Sequence, residues 1–88
     1  MRVTWLPAAV ADVGQIESYV SLYNPLTAQR LLRRFVEAAD DLARFPSRGR
    51  PAVDGSRELT VVPPYVLVYD VGEQEVLILR ACHGAQRR

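Results

Sequence analysis

Lysine is absent: all eleven basic residues are arginine. No side chain here can form a Schiff base or act as an amine general base. The arginines offer planar, permanently charged forks suited to phosphate or carboxylate, although a GC-rich genome produces the same bias. One cysteine, Cys82, excludes an internal disulfide and a cysteine-built metal site. Within an apolar strand run it reads as a buried, inert thiol. One histidine, His83, excludes a two-histidine metal site and a ribonuclease that works with a histidine pair. No glycine-rich phosphate loop, metal-ligand cluster or nucleophile elbow is present, so neither a cofactor nor a metal is expected. No apolar run approaches the roughly 20 residues of a membrane span, and no signal peptide is recognisable. The expectation is a cytoplasmic protein without a membrane partner. A formal charge of +1 gives no overall field to draw in nucleic acid.

What is present fits one domain over residues 1–88. A chain of this size buries only roughly 60–65% of its unfolded surface, so its stability is expected to be marginal. Residues 2–6 alternate and predict a short strand. Pro7 suits the first turn of a helix over residues 7–22, with Ala9, Val13, Ile16 and Val20 as its buried stripe. Asp12, near its N-terminus, suits the helix dipole. Asn24 and Pro25 form an N-cap and first-turn pair. The second helix then runs over residues 25–45, with Ala28, Leu31, Leu32, Phe35, Ala38, Ala39, Leu42 and Phe45 on its apolar face. The short break predicts an antiparallel helical hairpin. Pro46 ends the helix and opens a loop, residues 46–56, carrying the Asp54-Gly55 turn signal.

Three strands follow, at 57–62, 65–71 and 76–83, separated by Pro63-Pro64 and by a hairpin turn at 72–75. Their short links require antiparallel pairing. In the last strand, Val76, Ile78 and Cys82 alternate against Leu77, Leu79 and Ala81, and Arg80 interrupts the first set. The fold class is α+β in two layers: an N-terminal strand and an antiparallel helical hairpin packed on a small, mostly antiparallel sheet.

The charge is uneven. Residues 12–41 hold three arginines against five acids, and residues 44–57 hold four arginines against Asp54. The end of the chain adds Arg80, Arg87 and Arg88 with no acid after Glu75. Candidates for acid–base or electrostatic work are therefore Arg57, Arg80 and His83. A single imidazole suits proton transfer near neutrality, but also a structural hydrogen bond. Arg57 and Arg80 sit in apolar strands and need partners, with Glu58 or Asp70 in reach. Alternatively they line a concave anion site on the open sheet face, with Arg48 and Arg50 at its rim. Tyr65 and Tyr69 are two apart in a strand and share one face, for base stacking or for core packing.

Taken together, these pieces resemble the RelE/ParE superfamily of bacterial toxins from type II toxin–antitoxin modules. The resemblance rests on Trp5-Leu6-Pro7-Ala8-Ala9 with Asp12 and Ile16, and on Asn24-Pro25 with Ala28. It continues through Leu42-Ala43-Arg44-Phe45-Pro46 into Gly49-Arg50-Pro51, then Arg57-Glu58-Leu59, Tyr65-Val66-Leu67-Val68-Tyr69, and Ile78-Leu79-Arg80 leading to His83-Gly84. It implies a growth inhibitor neutralised by a cognate antitoxin that wraps its C-terminal segment over the toxin. It also implies that the Phe-Pro…Gly-Arg-Pro stretch is the family's connection from helix to sheet. ParE-like members block DNA gyrase by binding it. RelE-like members are metal-independent endoribonucleases that cut messenger RNA on the ribosome. Such nucleases commonly carry an arginine where Val66 stands here, and are strongly basic and lysine-rich. The pattern is therefore closer to the ParE side, with Arg57, Arg80 and His83 as a reduced nuclease site in the alternative. Arg48, Arg50, Tyr65, Tyr69, Arg87 and Arg88 are the candidate contacts with target or antitoxin. A degenerate toxin that only binds its antitoxin is the third possibility.

Overall fold

The computed structural model describes residues 1–84. Its elements are β1 (Arg2–Trp5), α1 (Pro7–Ser21), α2 (Pro25–Asp41), β2 (Arg50–Pro51), β3 (Arg57–Val62), β4 (Tyr65–Val71) and β5 (Glu75–His83). They form a five-stranded sheet in the order β1-β5-β4-β3-β2. The two helices pack on one face, as the two-layer expectation required. All strand pairs are antiparallel except β1 with β5, which is parallel. That exception follows from the long excursion through both helices between them.

Local sequence explains the helix boundaries. Pro7 and Pro25 occupy first-turn positions where a missing N–H costs nothing. The Asn24 side chain accepts the N–H of Thr27 at 3.1 Å, capping α2. At its other end α2 stops at Asp41, four residues short of the expected Phe45. From Leu42 to Arg44 the N–H groups bond three residues back, to Ala39, Asp40 and Asp41, so the chain tightens before Pro46. This tightening keeps Leu42 fully buried but turns Phe45 out to solvent. Leu32 is exposed as well, at the flank of the apolar face.

Between the layers lies one core, including Ala9, Val13, Leu31, Phe35, Ala39, Leu42, Leu67, Tyr69, Val76 and Ile78. Ile16 and Val20 pack at its margin. β4 is central, as its apolar run on both faces predicted. The loop before β3 is not wholly irregular: Arg50 and Pro51 pair with Glu58 and Arg57 as a two-residue edge strand. Gly55, at φ 90°, makes the turn that returns the chain to β3.

One register shift changes the expected faces of β5. Val68 pairs with Arg80 and Tyr69 with Ile78, so Leu79 is the extra residue of a bulge. The alternation changes phase there. Val76 and Ile78 are buried before the bulge, and Ala81 is buried after it. Arg80 is thereby turned away from the covered face where strict alternation would have put it.

Candidate functional site

The predicted site residues separate into two places, with β4 between them. The first is the corner where the chain leaves α2 for the sheet. Tyr69 is 0% exposed, yet its hydroxyl has partners. It donates to the carbonyl of Pro46 at 2.8 Å and accepts the N–H of Gly49 at 2.8 Å. Arg57, which stands opposite Tyr69 across the β3–β4 pair, donates through Nη1 to the carbonyls of Gly49 (2.5 Å) and Ser47 (3.3 Å). Two side chains from the sheet thus hold residues 46–49 by their backbone. Gly49 is needed for this close approach. A Cβ there would lie 2.7 Å from the Tyr69 hydroxyl and 2.8 Å from the Glu58 carbonyl oxygen. Arg48 forms an exposed ion pair with Asp41 at 3.3 Å, and Arg50 is exposed on β2.

These contacts correct three expectations. Arg57 donates to loop carbonyls and braces the corner, where a pairing with Glu58 or Asp70, or a place in an anion site, was expected. Tyr69 is core and corner support, so it presents no surface to a target or antitoxin. Arg48 and Arg50 flank this corner and do not rim a site shared by Arg57 and Arg80.

The second place is the far end of β5. β1 pairs with β5 only along Glu75, Val76, Leu77 and Ile78, and the Leu6 N–H closes on the Ile78 carbonyl at 3.0 Å. Beyond that point β5 continues for five more residues with no strand on its outer side among the described residues. Asp12 of α1 takes part of the vacated position. Its Oδ2 accepts the N–H of Ala81 at 3.0 Å and the Nε of Arg80 at 2.6 Å, while Oδ1 accepts Arg80 Nη2 at 3.0 Å. The Asp12 side chain is 13% exposed and that of Arg80 62% exposed. The Arg80 hydrogen bond holds the Asp12 carboxyl below its ordinary value; burial opposes this and the Ala81 N–H assists it. The partner of Arg80 is therefore Asp12, not Glu58 or Asp70.

A cleft of about 530 Å³ opens beside this pair, lined by Asp12, Gln15, Tyr19, Tyr65, Arg80 and His83 among others. Tyr65 stands opposite His83 in the β4–β5 pair, with ring centroids 5.9 Å apart, and also meets Phe35 edge-on at 6.3 Å. Cys82 is half-buried on the same wall rather than fully enclosed. Arg80, His83 and Tyr65 are thus brought together, while Arg57, Arg48, Arg50 and Tyr69 are not part of this group. Arg87 and Arg88 lie outside the described residues. Val66 is nearly buried in β4, opposite Cys82 and Thr60.

Sequence reasoning overlooked Asp12 and Tyr19 as site residues. The signal was available: positions 12, 15 and 19 form a polar and aromatic row beside the buried stripe of α1. Among the described residues, no three His, Cys, Asp or Glu side chains gather as metal ligands. No helix among them is long and apolar enough to cross a membrane.

Fold and corner together define a small two-layer α+β domain, two helices on a five-stranded sheet, that known proteins share. A structure of the chromosomal ParDE system from P. aeruginosa superposes with a TM-score of 0.80 at 32% identity, covering 94% of this chain and 95% of that one. The toxin–antitoxin complex RelBE2 from Mycobacterium tuberculosis superposes with a TM-score of 0.70 at 27% identity, over 93% and 95% of the two chains. Among curated proteins, Toxin RelE2 of Caulobacter vibrioides is 46% identical over 85 residues, 97% of each chain. Putative toxin Y4kP of Sinorhizobium fredii is 32% identical over 88 residues, covering 98% of this chain and 91% of that one. The family described as the ParE toxin of the type II toxin–antitoxin system, parDE, matches residues 3–88. The chain belongs to that family and is the toxin component of a type II toxin–antitoxin system.

Proposed function

We propose that this toxin arrests growth by binding a protein target, DNA gyrase, and that a cognate antitoxin neutralises it by binding the toxin. The observation that carries the choice of target is Val66. It is 7% exposed in the central strand and uncharged, where RNA-cutting members of the superfamily commonly present an arginine. One group of the nuclease alternative is engaged elsewhere: Arg57 is committed to the backbone of the corner. The near-neutral charge supports the same choice, because phosphate binding draws on an excess of cations. The reading places the protein in the cytoplasm, with plasmid stabilisation as the role of the pair. In both structural neighbours the toxin is described as part of a toxin–antitoxin system or complex, which supports an antitoxin partner for this chain.

Purified protein added to gyrase and relaxed plasmid is expected to block supercoiling, and the antitoxin is expected to restore it. Unimpaired supercoiling at large molar excess of toxin contradicts the choice of target. The second reading, a ribosome-dependent endoribonuclease, is favoured by the meeting of Arg80, His83 and Tyr65 in one cleft. It requires His83→Ala to abolish messenger cleavage.

A further inference from the structure

The corner between α2 and the sheet also has a solvent side, which carries Arg44, Phe45, Ser47 and Arg48. We propose that Arg44, Phe45 and Arg48 form the surface by which the toxin docks onto an acidic face of its protein target. The proposal rests on the reading that gyrase is that target, and it deepens that reading by assigning the contact.

The backbone here is held from several directions. The N-terminal amine of Met1 donates to the Ala43 carbonyl at 2.9 Å. Tyr69 holds Pro46 and Gly49, and Arg57 holds Ser47 and Gly49. Groups from the N-terminus, β3 and β4 thus fix residues 43–49, and a segment fixed in advance loses little freedom on binding. The residue this geometry presents is Phe45. It is 55% exposed at a position where the apolar pattern of α2 predicts core. Around it, a hollow of about 650 Å³ is lined by Arg44, Phe45, Pro46, Ser47 and Arg48, with no acid among them. The Arg44 guanidinium lies 5.5 Å from the centre of the Phe45 ring and makes no ion pair among the described residues. Arginine and aromatic side chains are the types that carry much of the binding energy in protein interfaces.

Charge identifies the occupant. The Arg44 fork is open to a carboxylate, which it can take bidentately. Arg48 has Asp41 as an exposed partner at 3.3 Å, a weak pairing that a carboxylate of the target can replace. Arg50, exposed on β2, extends the same positive side. An acidic protein surface that also offers an apolar seat for the Phe45 ring fits these features. A nucleic acid strand fits them less well. The Arg48 N–H is taken by the Phe45 carbonyl and the Gly49 N–H by Tyr69, so neither amide is available to a phosphate. One face of the Phe45 ring, which a base would stack on, already carries Arg44.

The test is substitution at Arg44 and Phe45, both exposed, so that the fold is left in place. Binding to purified gyrase and inhibition of supercoiling are measured for full-length wild type, Arg44→Glu and Phe45→Ser. Arg30→Glu, near the other end of α2, is the control. Arg44→Glu and Phe45→Ser are each expected to weaken gyrase binding at least tenfold and to raise the inhibitory concentration in parallel, with melting temperatures unchanged. Arg30→Glu is expected to match wild type. Added salt is expected to weaken wild type more steeply than Arg44→Glu. Equal gyrase affinity for all four proteins overturns the corner surface while leaving the gyrase reading intact. Absence of any gyrase binding by the wild type overturns both. Loss of antitoxin binding or of oligonucleotide binding by Arg44→Glu, with gyrase affinity unchanged, assigns the corner to that partner and also overturns the proposal.

Discussion

Replacing Tyr69 by phenylalanine tests whether the corner between helix and sheet is held as the geometry indicates. The ring stays in the core, so the substitution removes one oxygen atom and no packing. Lost with it are a bond to the Pro46 carbonyl and the acceptor of the Gly49 N–H, both at 2.8 Å. Gly49 is buried, so its N–H is left without that acceptor. Two ordinary bonds contribute about 1 kcal/mol each, and a stranded buried donor costs about 1–3 kcal/mol. The sum, discounting overlap, is about 2–4 kcal/mol. Against a total of roughly 4–13 kcal/mol for a domain of this length, that is a large share. The melting temperature should fall by roughly 8–32 °C, taking about 4–8 °C per kcal/mol for a small domain. Urea unfolding should show a lower midpoint at unchanged slope, and exchange at the Gly49 amide should accelerate. A loss below about 0.5 kcal/mol would refute the reasoning, because it would mean the loop does not depend on the hydroxyl.

The same corner predicts that Gly49→Ala destabilises by about 1–3 kcal/mol, since the new methyl meets the Glu58 carbonyl, which is backbone and cannot swing aside; denaturant titration reads this. Asn24→Ala should cost about 1 kcal/mol, and Asn24→Ser should recover most of it, because both Asn and Ser can accept the Thr27 N–H. Asp12 predicts a pH dependence. Its native carboxyl lies below the ordinary 3.8, chiefly because of Arg80, so its contribution is complete above that value and is lost as pH falls through the depressed native one. Asp12→Asn should lower stability at neutral pH and flatten the acid limb of the stability curve; a parallel curve would contradict the assignment.

Much of the fold was legible because local signals and global topology agree. Pro7, Asn24-Pro25 and Pro63-Pro64 mark boundaries that the structure keeps, and the apolar run of β4 correctly indicated the central strand. The failures share a cause: each depends on a contact distant in sequence. The bulge at Leu79 is set by pairing with β4, and simple alternation cannot anticipate it. The partner of Arg80 is 68 residues away on α1, so a search among neighbouring acids points to the wrong ones. Arg57 and Tyr69 read as surface candidates because arginine and tyrosine serve binding and bracing equally well. Only the position of the 46–49 backbone decides between those uses. The cleft at the end of β5 was half visible, through Arg80, His83 and Tyr65, and its α1 wall was missed.

The central claim is that this toxin acts by binding a protein and not by cutting RNA. Mapping messenger 5′ ends in cells at the moment growth stops, with wild type and His83→Ala induced side by side, tests it most directly. The account predicts arrest by both proteins without new codon-associated ends. New ends that appear with wild type and vanish with His83→Ala, together with the arrest, would contradict it.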